Sequence, residues 1–513
     1  MSVEPSSVLR LRSDDNICLA TQALSEGQVV QVDGREIQLR AAVPFGHKIT
    51  LEAVAEGQAI RKYGQIIGFA TENIAAGDWV HSHNLSAGKF ERDYAFCQEI
   101  PPAPTPITDR VFQGYRRENG RAGTRNYVAV ISSVNCSASV SKYICSRFDE
   151  SLLRDFPNID GVLPITHQGG CAMQFGGEDH DQLNRVLAGF ARHPNVAAYM
   201  LVGLGCETGS IRRLIEDQGL VQLGAEPSRP PRVLNMQDLG GTGKTVEEGV
   251  RVLAEMLPAA NDVRRESIPA SELILGLECG GSDGNSGVTA NPALGVAADL
   301  LVAAGGTAVL AETSEIYGAE HLLTRRAITR EVGEKLVERI KWWEEYCGKF
   351  GVVIDNNPSP GNKEGGLTTI YEKSLGAVAK GGSTALREVY KYAEPMRTKG
   401  MVVMDTPGYD PASITGMVAG GANMVCFTTG RGSCYGCKPV PSIKIATNTP
   451  MYERMVADMD VNAGVILSGA SLGEVGQHIF DEILEVASGR KTKSEIHGVG
   501  EEEFVPWSVG PVL

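Results

Sequence analysis

His81 and His83 follow Trp79 and Val80 in a run that reads as a strand, and a period of two puts both imidazoles on one face. Such a pair can hold Fe, Mn or Zn, or act as acid and base in a proton transfer, with the adjacent Asn84 orienting a ring or touching a substrate. Two surface histidines near a strand end would look the same in isolation. His47 and Lys48 add a third imidazole and an ammonium in the same stretch, which so holds three of the nine histidines. That enrichment favours a functional role, with His81 and His83 first and His47 and Lys48 behind them.

Cys136, Cys171, Cys206 and Cys279 each lie in a turn rich in Gly, Ser or Asn: SVNCSAS, HQGGCAM, GLGCETG and LECGGSD. A cysteine against such backbone can ligate a metal or present a thiolate, although a small buried residue doing no chemistry fits a tight turn equally well. No C-x-x-C spacing joins the four, so a shared iron–sulfur cluster is the lesser reading. Cys434 and Cys437 do form one C-x-x-C, a weak signal without a second half.

Residues 280–295, GGSDGNSGVTANPALG, place Ser282, Asp283, Asn285, Ser286, Thr289 and Asn291 between glycines. Hydroxyls, amides and a carboxylate on closely approaching backbone suit a polyhydroxylated, metal-chelating ligand, and so long a patternless stretch is costly unless it serves a site. Thr428, Thr429 and Arg431 end an apolar run in FTTGRG, where the guanidinium can clamp a carboxylate, and NPSPGNKEGG offers Lys363 in a rigid turn. Gly241–Thr245 imitates a phosphate-binding loop, but position 238, which must be glycine, is Asp.

The elements that position these residues fall into a small, mainly β domain over residues 8–98, a Pro-rich linker over 99–108, and a large α/β region divided into 109–395 and 396–513. In the first, Asp33-Gly34 between β-branched runs signals a hairpin. In the linker, Pro101, Pro102, Pro104 and Pro106 favour an extended spacer. Beyond it, near-continuous apolar strands end in Gly-rich turns and lead into amphipathic stretches, the grammar of a parallel sheet that binds ligands at its C-terminal strand ends. Long helices are expected over 329–346 and 471–488.

A chain of 513 residues suggests two to four domains, and 42% hydrophobic with 21% charged residues is a globular balance without a membrane-spanning run. The first residues lack the basic and apolar segments of a secretory signal, so the cytoplasm is the expected location. A net charge of −14 opposes nucleic acid and anionic membranes as partners, and an anionic small molecule would need locally gathered positive charge. Eleven scattered cysteines read as free thiols or ligands rather than disulfides.

Taken in order, GHK, YGQIIGFA, HSHN, GTRN, GLGCE, LECGGSDGNSGVTANP, NPSPGNKEGG and FTTGRG resemble the altronate dehydratase and galactarate dehydratase family over nearly the whole chain, about residues 10–510. The resemblance implies a SAF-type N-terminal domain joined to a dehydratase region. It also implies loss of water from an aldonate or aldarate to give a 2-keto-3-deoxy acid, with Fe(II), or else Mn(II) or a related ion, as cofactor. HSHN, RKYG and NNPSPGNK lie nearer the altronate members, whereas SCYGCK at 433–438 departs from the common pattern. Galactarate dehydratases and sulfolactate-type lyases of the same family are the alternatives, and a non-enzymatic sugar-acid sensor is the alternative of another class. On this reading His81 and His83, with Cys136, Cys171, Cys206 and Cys279, supply metal ligands. His81, His83, His47 and Lys48 supply proton transfer, and Ser282, Asp283, Asn285, Thr289, Asn291, Lys363, Thr428, Thr429 and Arg431 bind a small-molecule sugar acid, in a possible homo-oligomer. A dehydrogenase is disfavoured because no G-x-G-x-x-G opens a helix after a first strand.

Overall fold

The computed structural model describes residues 6–88, 94–118, 120–222 and 230–509. The N-terminal part is built of short strands, as alternating β-branched runs cut by glycine turns dictate. Val8–Leu9, Ile17–Ala20, Lys48–Thr50 and Trp79–Val80 form an antiparallel sheet, and Ala59–Lys62, Gln65–Ala70 and Leu85–Ser86 a second. Val29–Val32 and Arg35–Gln38 pair as a hairpin turned at Asp33 and Gly34, whose φ angles of 51° and 76° are those of a two-residue I′ turn. The strand expected to carry both His81 and His83 stops at Val80: Asn84 Oδ1 accepts from His81 N at 2.9 Å and closes a turn, so the period of two ends before either histidine. The Pro-rich segment runs without helix or strand, and Ile107 N donates to Ala303 O.

The α/β part contains two parallel sheets. The four-stranded one runs Gly161–Ile165, Tyr127–Ser132, Val196–Gly203, Arg232–Asn235. The seven-stranded one runs Leu386–Tyr390, Gly400–Met404, Thr307–Leu310, Ile274–Cys279, Met424–Thr429, Ser442–Ala446, Val461–Asn462. Its strands come from both sides of residue 395, so the division expected there runs through one sheet; the hydrophobic run at 400–404 pairs with earlier strands and begins no new layer. The central strands are buried along their length, as sheets covered on both faces require. Helices Ala290–Ala303 and Leu472–Ala487 pack together on one face, and Asp410–Ala419 lies on the other against Glu178–Ala191. Thr329 caps Arg330–Lys349, and a Ser471–Glu474 capping box starts Leu472–Ala487.

One apolar cluster joins Ile60, Ile67 and Val80 of the N-terminal part to Leu310, Ile316 and Leu323 of the large region, and another joins the two parallel sheets. The N-terminal part is therefore held against the C-terminal strand ends of the large sheet. Among the described residues, no helix is long and apolar enough to cross a membrane.

Candidate functional site

Two lysines of the N-terminal strands reach one carboxylate of the large region. Lys48 Nζ lies 2.8 Å from Glu372 Oε2 and Lys62 Nζ 2.8 Å from Glu372 Oε1, all three side chains fully buried. Thr368 donates to the same carboxylate through its N–H and hydroxyl, while Gly366 O accepts from Lys48 at 2.6 Å. Burial alone would raise the Glu372 pKa, but the two ammoniums outweigh it and hold the carboxyl well below its usual range. Burial pushes Lys48 down to about 8 against the pull of Glu372, whereas for Lys62 that attraction wins over burial and raises the pKa. A paired charge of this kind is costly to break and fixes how the two parts meet.

Glycines permit the close approach. A Cβ on Gly284 would sit 2.1 Å from Gly46 O, and one on Gly366, whose φ is +103°, would sit 2.5 Å from the same oxygen. Above this contact lies a cavity of about 600 Å³ lined by His47, Trp79 and His81 from the N-terminal part and by Asn356, Lys363 and Glu364 from the large region.

His47 Nε2 faces Glu364 O at 3.2 Å, an atom that only accepts, so this nitrogen carries the proton; Nδ1 accepts from Trp79 Nε1 at 3.1 Å. Burial, then the neighbouring Lys48, lowers its pKa to about 4, and the neutral ring is committed at both nitrogens. His81 stacks on it with ring centroids 5.1 Å apart. Its Nε2 donates to Lys363 O at 2.9 Å, and Nδ1 lies 3.0 Å from the exposed Ser82 hydroxyl. Burial lowers the His81 pKa and the Lys363 carbonyl partly restores it, leaving a neutral imidazole with a basic, reachable Nδ1. His83 is exposed and contacts the Trp79 ring.

Beneath, the strand ends of the large sheet gather acids. Cys279, Glu312 and Glu315 form one group with ligand atoms within 4.8 Å of one another, and Glu278, Glu312 and Asp410 form a second. Glu312 has φ 63°, a strained conformation for a side-chain-bearing residue, and pairs with Lys380; Glu315 pairs with Lys373 at 2.6 Å. Burial first, and the neighbouring Glu312 second, raise Glu278 and lift Asp410 to about 7. Asn357 ties this layer to the cavity wall, donating to Glu315 at 2.8 Å and accepting from Lys373 at 3.0 Å. The donors fit a divalent ion: Glu278 Oε1 is buried without a hydrogen-bond partner, and the carboxylates offer the anionic oxygens that such an ion takes. Among the described residues, these groups contain no histidine, and His81 and His83 belong to neither of them.

The glycine-rich segment serves mainly as a brace. Asp283 accepts from Asn285, Ser286, Thr447 and Asn448; Thr289 donates to Thr447 O; Asn291 donates to Gly376 O and accepts from Thr428; Thr429 accepts from Gly432 N. Ser282 Oγ is buried and unpartnered. Lys363 and Arg431 remain accessible, Arg431 in an exposed pair with Glu364 at 3.2 Å. The four cysteines separate: Cys279 is buried on the large sheet, and Cys136, Cys171 and Cys206 are exposed at the edge of the four-stranded one. Sequence reasoning passed over Lys62, Glu278, Glu312, Glu315, Glu372, Lys373, Lys380 and Asp410. Glu278 and Glu312 close apolar strands and so carried a signal, whereas Glu372 sits inside an ordinary helix, Ile370–Val378.

Three family models match in succession: the altronate/galactarate dehydratase SAF domain over residues 6–88, the D-galactarate dehydratase/altronate hydrolase second domain over 114–261, and the D-galactarate/altronate dehydratase C-terminal domain over 270–512. The chain is 37% identical to an altronate dehydratase of Bacillus subtilis (strain 168), over 95% of this chain and 96% of that one. It is 36% identical to an altronate dehydratase of Escherichia coli (strain K12), with the same coverage. A galactarate dehydratase (L-threo-forming) of Escherichia coli (strain K12) is 37% identical over 89% of this chain and 88% of its own.

Proposed function

The chain belongs to the D-galactarate/altronate dehydratase family and is a sugar-acid dehydratase, a carbon–oxygen hydro-lyase; from that premise we propose that it converts an altronate-like aldonate to a 2-keto-3-deoxy acid and water. The observation that carries the reading is the cavity between the N-terminal part and the large sheet edge, with a neutral His81 and an accessible Lys363 on its wall and a buried acid–thiol layer below. Its volume suits a six-carbon acid. Altronate is preferred because two altronate dehydratases match nearly end to end, while the galactarate relative is covered less completely.

Lys363 and Arg431 bind the substrate carboxylate, which replaces Glu364 in an exposed pair that is itself worth little. His81 Nδ1 takes the C2 proton, and the resulting imidazolium is held by the Lys363 carbonyl on Nε2. C2 and C3 become doubly bonded as the C3 hydroxyl leaves with the proton that the His81 imidazolium gives up, forming water and restoring the neutral ring, and the enol tautomerises to the 2-keto acid. His47, fixed by Trp79 and Glu364 O, positions the His81 ring. Either Cys279, Glu312 and Glu315 or Glu278, Glu312 and Asp410 would hold a divalent ion, Fe(II) or else Mn(II), which when bound would supply Lewis acidity to the substrate's oxygens.

The test is 2-keto acid formation from a panel of altronate, other aldonates, galactarate and sulfolactate, with Fe(II) or Mn(II) supplied. Preferred turnover of altronate is expected. Preference for galactarate or sulfolactate would transfer the chain to that branch, and turnover of none would overturn the assignment.

A further inference from the structure

We propose that Cys136, Cys171 and Cys206 together hold an iron–sulfur cluster at the C-terminal edge of the four-stranded sheet. Each follows one of three neighbouring parallel strands: Cys136 after Tyr127–Ser132, Cys171 after Gly161–Ile165 and Cys206 after Val196–Gly203. The chain spacings are too long for any C-x-x-C pattern, but the sheet order brings the three loops side by side.

The loops are tied to one another. Asn135 N donates to Gly169 O at 3.0 Å, Gly209 N donates to Gly170 O at 3.0 Å, and Ser133 Oγ donates to Glu207 Oε1 at 2.8 Å. Gly170 has φ +93°, and a Cβ there would lie 2.4 Å from Ser133 O, so only glycine lets the Cys171 loop close onto the Cys136 loop. All three thiols are exposed, in contrast to the buried Cys18, Cys145, Cys279, Cys426 and Cys437. Cys136 lies in the first turn of Asn135–Cys145, where backbone N–H groups are free to face a bound anion. Gln237 Nε2 donates to Cys206 Sγ at 3.3 Å, the kind of contact that stabilises a ligating sulfur.

A single tetrahedral ion with metal–sulfur bonds of 2.3 Å brings its thiolates to about 3.8 Å from one another. Among the described residues, these three sulfurs do not form a group within 4.8 Å, so they do not close around one ion; thiolates from separate loops are the ligand set an iron–sulfur cluster takes. Three protein thiolates leave one iron of a four-iron cluster open to water or an oxygen ligand.

The test uses the full chain isolated without oxygen and reconstituted with ferric iron, sulfide and a thiol reductant that supplies the two electrons a four-iron cluster needs. About four iron and four acid-labile sulfide per chain are expected, with a visible charge-transfer band. Cys136→Ser, Cys171→Ser and Cys206→Ser should each lose most of both, while Cys434→Ser, at another exposed cysteine, retains them. Should a serine variant misfold, maleimide labelling of the wild-type chain gives the same answer: the three thiols are protected in the loaded protein and react once a chelator strips the iron. Iron bound without labile sulfide, equal loading of the variants, or thiols labelled alike in both states would overturn the proposal.

Discussion

Glu372 joins two lysines from one part of the molecule to a helix of the other with no solvent access. Its replacement by Gln leaves two buried ammoniums without a counter-charge, and a loss of about 3–5 kcal/mol is expected in denaturant unfolding. The carboxyl is held below its ordinary value of 4.5, so the unfolded chain takes up a proton before the folded one does. Its contribution is complete above that value and lost as pH falls through the lower folded one. The stability gap between wild type and Glu372→Gln should therefore be constant near neutrality and shrink in acid; a gap independent of pH would show that the Glu372 charge is not what stabilises the contact.

The secondary-structure elements were the most legible part. Asp33-Gly34 marked a true hairpin, and the apolar runs ending in glycine marked parallel strands, because both signals are local. Asn84 was read as a substrate or ring-orienting residue, yet its side chain closes the turn that ends the strand before His81. Asp283 and its neighbours looked like ligand-binding groups, since a polar loop next to glycine reads the same whether it faces a ligand or its own backbone. The acids at Glu312, Glu315 and Asp410 could not be grouped from the sequence, because only the strand order brings them together. Gly284 tests the element-level contact. Ala there places a methyl on Gly46 O, and about 1–3 kcal/mol of destabilisation with a raised Michaelis constant is expected. Unchanged stability and kinetics would mean that the loop and the N-terminal part do not need that approach.

At the scale of the molecule, a chain of net charge −14 must create a place where an anion is welcome. Lys363 lines the cavity wall and Arg431 is paired with Glu364 beside it, whereas the buried Lys48, Lys62, Lys373 and Lys380 are matched by Glu372, Glu315 and Glu312; the cavity takes its lining from both parts. The cavity thus takes its shape from the N-terminal part seated on the sheet edge, and in the mechanism proposed above His81 is the residue that part contributes to the chemistry. His81→Asn keeps a polar, similarly sized side chain while removing the basic Nδ1. The decisive measurement is the rate at which wild type and a folded His81→Asn variant release 2-keto-3-deoxy acid from altronate. A wild-type rate reduced by about 10²–10⁴-fold in the variant is expected; equal rates, or no product from the wild type, would contradict dehydration at this cavity.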